Sequence, residues 1–138
     1  MRALYTAVAT ARGGRDGHVR SADGVLDMDV RTPKEMGGPG GQATNPEQLF
    51  AAGYAACFES ALRLVARAQK RPLTETSITA RVTLNATEER RYVLSAELHG
   101  KIEGLSQDEA LALMQAAHQV CPYSNATRGN IEVKLFAD

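Results

Sequence analysis

The chain has 138 residues, 43% hydrophobic and 23% charged, which suits a single soluble domain spanning residues 1–138 rather than a disordered or membrane chain. Lysine plus arginine and aspartate plus glutamate both number 16, so no basic excess points to nucleic acid or to an anionic membrane surface. No run approaches the roughly 20 apolar residues that a membrane-spanning helix needs.

The first eleven residues carry an early Arg2 and small residues spaced as in a secretory leader. Tyr5, Thr6 and Thr10 break the apolar run, and its alternation is that of a strand. The expected setting is therefore cytoplasmic and reducing, where a permanent disulfide is not expected. Leu4 to Thr10, His18 to Ser21 and Val25 to Arg31 read as a β-meander, with turns at Gly13–Gly17 and Asp23–Gly24. Leu26, Met28 and Val30 alternate onto one apolar face. Thr32 to Gln42 follows as a glycine-rich loop. It lacks the Lys-Ser/Thr of a phosphate-binding loop, and Glu47 just beyond it would repel an anion.

Asn45 caps a helix whose first position is Pro46, and Gln48 stands three residues on, where it can reach back to the cap. This helix runs to about Gln69 and is apolar on nearly every side, through Leu49, Phe50, Tyr54, Phe58, Leu62 and Val65, as befits the centre of a core. Ile78 to Leu84 and Tyr92 to Ile102 form an antiparallel pair around a charged turn at Glu88–Arg91. Ser106 and Glu109 form a capping box for a helix through Val120, and Pro122 ends it. Ile131, Val133 and Leu135 alternate as a last strand. The order β-β-β-α-β-β-α-β is that of an α+β fold, with antiparallel sheets around two central helices.

Two cysteines stand out in this frame. Cys57 lies within the apolar helix and Cys121 just before Pro122. A thiol among apolar groups is inert, because burial raises its pKa and only the thiolate reacts, so Cys57 needs a cation from elsewhere. A zinc site assembled from Cys57, His118, Cys121 and His18 matches no ligand framework, and no metal is expected. Arg15 and Glu47 are the charges to weigh. On residue physics alone they read as a solvated turn arginine and a carboxylate complementing a helix dipole.

Several segments carry a more specific signal: Gly13-Gly14-Arg15-Asp16-Gly17, Thr32 to Glu35 with Gly37-Gly38, Thr44 to Tyr54, Ala56-Cys57-Phe58, and Val120 to Ile131. Over nearly the whole chain these resemble the organic hydroperoxide resistance proteins of the Ohr/OsmC family, and the extended Cys121-Pro122-Tyr123-Ser124-Asn125 segment favours the Ohr branch. Ala55 and Glu59 depart mildly from that pattern. The resemblance implies an OsmC-like fold, an intertwined homodimer and a thiol peroxidase that uses no cofactor. It implies that Cys57 attacks the peroxide, Cys121 resolves, Arg15 polarises the peroxide and steadies the thiolate, and Glu47 orients Arg15. It also implies recycling by a dithiol reductant such as a lipoylated protein.

Helix geometry adds an argument of its own. Ten residues separate Glu47 from Cys57, about 15 Å along a straight helix and about 80° around it. Glu47 cannot then hold an arginine at its own chain's Cys57 unless the helix breaks, near Gly53 for example. Otherwise a two-fold dimer lets Arg15 and Glu47 of one chain serve Cys57 of the other. Phe50, Tyr54, Phe58 and Met36 or Leu113 are the expected substrate-pocket residues, favouring an alkyl or lipid hydroperoxide. A cysteine redox sensor and a non-catalytic carrier of hydrophobic ligands are the other classes compatible with the thiols.

Overall fold

Tight turns at glycine set up the N-terminal strands, β1 (Ala9–Arg12), β2 (Gly17–Ser21) and β3 (Asp27–Val30), which pair antiparallel in the order β1-β2-β3. Gly17 is obligatory there, because a Cβ on it would lie 1.8 Å from the Arg12 carbonyl oxygen. The computed structural model describes all 138 residues, which fall into two units, Met1–Leu49 and Phe50–Asp138, with the boundary inside the first helix.

In the first unit a single 3₁₀ turn, Gly14–Asp16, joins β1 to β2 and presents Arg15. Asp16 anchors it by accepting from the Thr32 backbone N–H and hydroxyl, both at 3.1 Å. Val30 and Thr44 are buried and bridge to each other in parallel. Leu26 and Met28, expected to share an inner face with Val30, stay exposed in the single chain, as do Leu4, Tyr5 and Val25. Three short strands bury too little surface to cover such a face themselves.

Helix α1 (Pro46–Ala68) starts where the cap predicts: Asn45 Oδ1 accepts from the Gln48 N–H at 2.8 Å. The Gln48 side chain does not reach back to the cap; it accepts from the Thr44 hydroxyl at 3.1 Å. Tyr54, Phe58, Ala61, Leu62 and Ala66 form its buried stripe at helical spacing, whereas Ala52, Ala56 and Leu64 are exposed. The helix is thus one-sided within a single chain rather than enclosed on all sides. At 23 residues it is also long and apolar enough to cross a membrane by length and composition, contrary to the sequence expectation. Its buried stripe, however, packs into a protein core.

That core lies in the second unit. β4 (Thr76–Ala86) and β5 (Tyr92–Ile102) pair antiparallel along their full lengths, and β6 (Val133–Ala137) joins β5. The β6 pairing is parallel, so this sheet is mixed rather than wholly antiparallel. The chain can return in that sense because α2 (Gln107–Val120) provides the crossover. The Ser106–Glu109 capping box that starts α2 is formed in both directions at 3.2 Å. Tyr54, Phe58, Leu62, Leu98, Leu113, Met114, Ala117 and Cys121 meet in one cluster. Pro122 ends α2 and also opens a further short helix, α3 (Pro122–Thr127), which the sequence reading lacked. Proline at a first helical position loses no hydrogen bond, so it serves as a start as readily as a stop.

Two histidines each sit between two carboxylates. His99 faces Glu97 at 2.9 Å and Asp138 at 3.2 Å, with its ring stacked on Phe136 at 4.6 Å. His18 faces Asp29 at 2.8 Å and also Asp27. An imidazole donates from both nitrogens only when protonated, so these hydrogen bonds raise the pKa of both rings. Their stabilisation is complete below the unfolded value of about 6.5 and is lost as pH rises through the raised folded values. The thermal midpoint should therefore fall across that window, and the double variant His18→Gln/His99→Gln should lose most of this slope in thermal scans at stepped pH.

Candidate active site

Cys57 projects from the middle of α1, half-buried, and Cys121 occupies the extended residue between α2 and α3, fully buried. Their sulfurs lie 3.6 Å apart as free thiols. Cys121 is fixed at both ends of its peptide: its N–H donates to the Ala117 carbonyl and its carbonyl accepts from the Asn125 N–H, each at 2.9 Å. One oxidation separates this pair from a disulfide, whose bond length is about 2.0 Å.

Burial pushes the Cys57 thiol above its ordinary pKa, and the neighbouring Cys121 adds to the rise. The Tyr123 backbone N–H donates to Cys57 and acts the other way. An N–H aimed at sulfur favours the thiolate, but it does not overcome burial here. The thiol pair is thus correctly spaced and electrostatically under-supplied.

Tyr123 contributes more than its N–H. Its ring packs on Phe50 (centroids 5.9 Å apart) and Tyr54 (5.6 Å), and its hydroxyl lies over Gly53. A Cβ at Gly53 would stand 2.5 Å from that hydroxyl oxygen. Gly53 therefore admits the tyrosine against α1, one helical turn before Cys57. Beside this contact runs a groove of about 650 Å³, whose wall includes Phe50, Tyr92, Val93, Leu94, Tyr123 and Ile131.

Among the residues expected to line a pocket, Phe50 lines this groove. Tyr54 and Phe58 are fully buried and Leu113 nearly so; all three belong to the core rather than to an open pocket. Helical periodicity cannot tell the inner face of a core helix from the wall of a cleft. Met36 belongs to the first unit, where it is exposed. Tyr123 and its N–H were missed. The signal was a lone glycine in a helix of longer side chains, which marks a close approach.

In the first unit Arg15 and Glu47 form the pair proposed from sequence. Arg15 Nη1 and Nη2 donate to the two Glu47 carboxylate oxygens at 2.8 and 2.6 Å, a bidentate fork. The hydrogen bonds from Arg15 hold the Glu47 carboxyl below the usual carboxylate range, and Glu47 raises the guanidinium in return. Glu47 is mostly covered while Arg15 remains about one-third exposed, so the guanidinium keeps donors for another group. No cluster of three or more His, Cys, Asp or Glu side chains stands at metal-binding distance.

The family described as OsmC-like protein matches residues 38–136. An organic hydroperoxide resistance protein from Xanthomonas axonopodis pv. citri is 51% identical over 133 residues, covering 96% of this chain and 93% of that protein. The organic hydroperoxide resistance protein OhrA of Bacillus subtilis is 53% identical over 137 residues, covering 96% and 94%. The crystal structure of an organic hydroperoxide resistance protein from Legionella pneumophila superposes with a TM-score of 0.94 at 58% identity, covering 99% of each chain.

The Gly53 contact yields a direct test of the site. In Gly53→Ala the exposed tyrosine ring must swing aside, while alanine favours the helix by about 1 kcal/mol. Stability should change little, yet alkylation of Cys57 by iodoacetamide should accelerate, because the ring packed against α1 one turn before the thiol moves away while the backbone N–H that favours the thiolate stays.

Proposed function

The chain belongs to the OsmC-like protein family, in the branch of organic hydroperoxide resistance proteins, and from that premise we propose that it is a cysteine-based peroxidase for organic hydroperoxides. The observation that carries this reading is the pair of reduced sulfurs 3.6 Å apart, one half-buried and one enclosed.

The Cys57 thiolate attacks the terminal oxygen of ROOH. A sulfur–oxygen bond forms, the O–O bond breaks, and the alkoxide leaves with the electron pair and takes a proton to become the alcohol. The resulting sulfenic acid condenses with the Cys121 thiol, releasing water and forming the disulfide. A dithiol, such as a dihydrolipoyl group on a protein, then reduces the disulfide by thiol exchange. Both electrons come from that dithiol, so the protein needs no bound cofactor and works in a reducing compartment such as the cytoplasm.

Cys57 lacks a cation among its own neighbours, and the Arg15–Glu47 fork is a cation already oriented. Helix α1 runs unbroken through Gly53. An unbroken helix supports the shared-site arrangement over one within a single chain. In such a homodimer the Arg15 guanidinium of one protomer lowers the pKa of the other's Cys57 and neutralises the leaving alkoxide. The exposed Leu26, Met28 and Leu64 are surfaces such a dimer would cover. The apolar groove suits the organic tail of the substrate.

With dihydrolipoate as reductant, cumene hydroperoxide should be consumed much faster than hydrogen peroxide, and equal rates would refute the substrate class. Cys57→Ser should abolish turnover, and Arg15→Ala should lower kcat/KM by roughly 10²–10³-fold, as for loss of one preorganised charge donor. Shared sites are checked by mixing the two inactive variants. Subunit exchange pairs an intact Cys57 with an intact Arg15 and should restore about a quarter of wild-type activity, whereas sites built within single chains would leave the mixture dead.

A further inference from the structure

One buried polar cluster is unused by the chemistry above. His118 Nδ1 lies 2.7 Å from Ser124 Oγ, Ser124 Oγ lies 2.9 Å from the Tyr54 hydroxyl, and that hydroxyl lies 3.1 Å from Thr127 Oγ1. Thr127 in turn donates to the Ser124 carbonyl at 3.2 Å. Tyr54 and Ser124 are fully buried and Thr127 nearly so. Placed in this way, the four contacts join the last turn of α2, Ser124 and Thr127 of α3, and Tyr54 in the buried stripe of α1.

Counting protons fixes the direction of the chain. Each hydroxyl has one hydrogen to give. If His118 Nδ1 carries a proton, it donates to Ser124, Ser124 to Tyr54, Tyr54 to Thr127, and Thr127 to the Ser124 carbonyl, so all four contacts are made. If Nδ1 is bare, Ser124 must donate to it and Tyr54 to Ser124. Thr127 then has one hydrogen for two acceptors, and one contact goes unmade. The Ser124 carbonyl still accepts from the Arg128 N–H at 2.9 Å in that case, so the two forms differ by one hydrogen bond, and the Nδ1–H form that makes all four is favoured. Burial, with Arg128 close by, holds the ring below its ordinary pKa, in its neutral state.

Resting on the peroxidase reading, we propose that His118 and Ser124 are positioning residues for the resolving step: the one-way hydrogen-bond chain across Pro122 holds the Cys121 sulfur against Cys57. Without the chain, the α2–α3 junction keeps the two backbone bonds at Cys121 and the Arg128 bridge from the His118 carbonyl to Asn125, but loses its buried side-chain link to Tyr54 of α1. The thiol would then spend less time in contact with the oxidised Cys57, leaving the sulfenic acid open to a second peroxide.

The test is the fate of oxidised Cys57. Reduced protein is treated with excess tert-butyl hydroperoxide, and the ratio of Cys57 sulfinate to Cys57–Cys121 disulfide is read by mass spectrometry. This ratio is independent of the rate of the first attack. Ser124→Ala and His118→Leu should raise it by about five- to tenfold, the effect of losing about one buried hydrogen bond. His118→Asn, which retains a donor near the Nδ1 position, should bring it back towards wild type. Variants that melt earlier but partition like wild type would overturn the proposal.

A second measurement needs no variant: nitrogen-resolved NMR of the reduced wild-type protein should find the His118 proton on Nδ1, and an Nε2–H tautomer would overturn the chain. Failure of the parent reading looks different, since wild-type protein would then leave the hydroperoxide unconsumed. The position of the Cys57–Cys121 disulfide in a glutathione buffer would still report on the chain in that event, with a five- to tenfold weaker disulfide expected in Ser124→Ala and an unchanged one overturning the proposal.

Discussion

Everything in the second unit converges on the contact between the Cys57 and Cys121 sulfurs. Their 64 positions of separation in sequence are closed by ordinary packing: the buried stripe of α1 against the inner face of α2, with Leu98 of β5 beneath. A core of this kind is close-packed and of low compressibility, so it can hold two side chains at a fixed separation. Pro122 matters for the same reason. By ending one helix and starting another, it turns Cys121 into a hinge residue with extended backbone, its thiol aimed inward.

The same burial that fixes the geometry opposes the chemistry. Enclosure raises the Cys57 pKa, and one peptide N–H from Tyr123 offsets only part of the rise. A reactive thiol in such surroundings must borrow charge, and a guanidinium is suited to lend it because it stays protonated and presents a planar fork. The bidentate fork with Glu47 fixes the orientation of Arg15. In the proposed mechanism, preorganised charge of this sort is what would stabilise a developing alkoxide without reorganisation at the moment of reaction. The N-terminal sheet and α1 also leave apolar side chains exposed, Leu26 and Met28 on the first and Leu64 on the second, which is the kind of surface the proposed dimer needs.

Much of the fold was legible because its signals are local. The Asn45 cap, the Ser106–Glu109 box and the alternation of Tyr92 to Ile102 each act within a few residues, and each stands where the sequence placed it. The parallel pairing of β6 and the existence of α3 were not legible, because a strand's direction depends on where its neighbour lies and a proline marks a start as well as a stop. Tyr54 and Phe58 show the same limit at the site: their period announces an inner face, but not whether that face meets a cleft or a core.

The sequence by itself determined the chemistry available: two thiols, a glycine-flanked arginine, a glutamate in the first turn of a long helix, and a family pattern that binds them together. Which atoms meet was decided only in three dimensions. The sulfur–sulfur contact, the Tyr123 N–H over Cys57, the ring seated on Gly53 and the directed chain from His118 to Thr127 all join residues distant in sequence. Side-chain identity is a local property, whereas burial, and with it every pKa and every obligatory hydrogen bond, is a property of the packed whole.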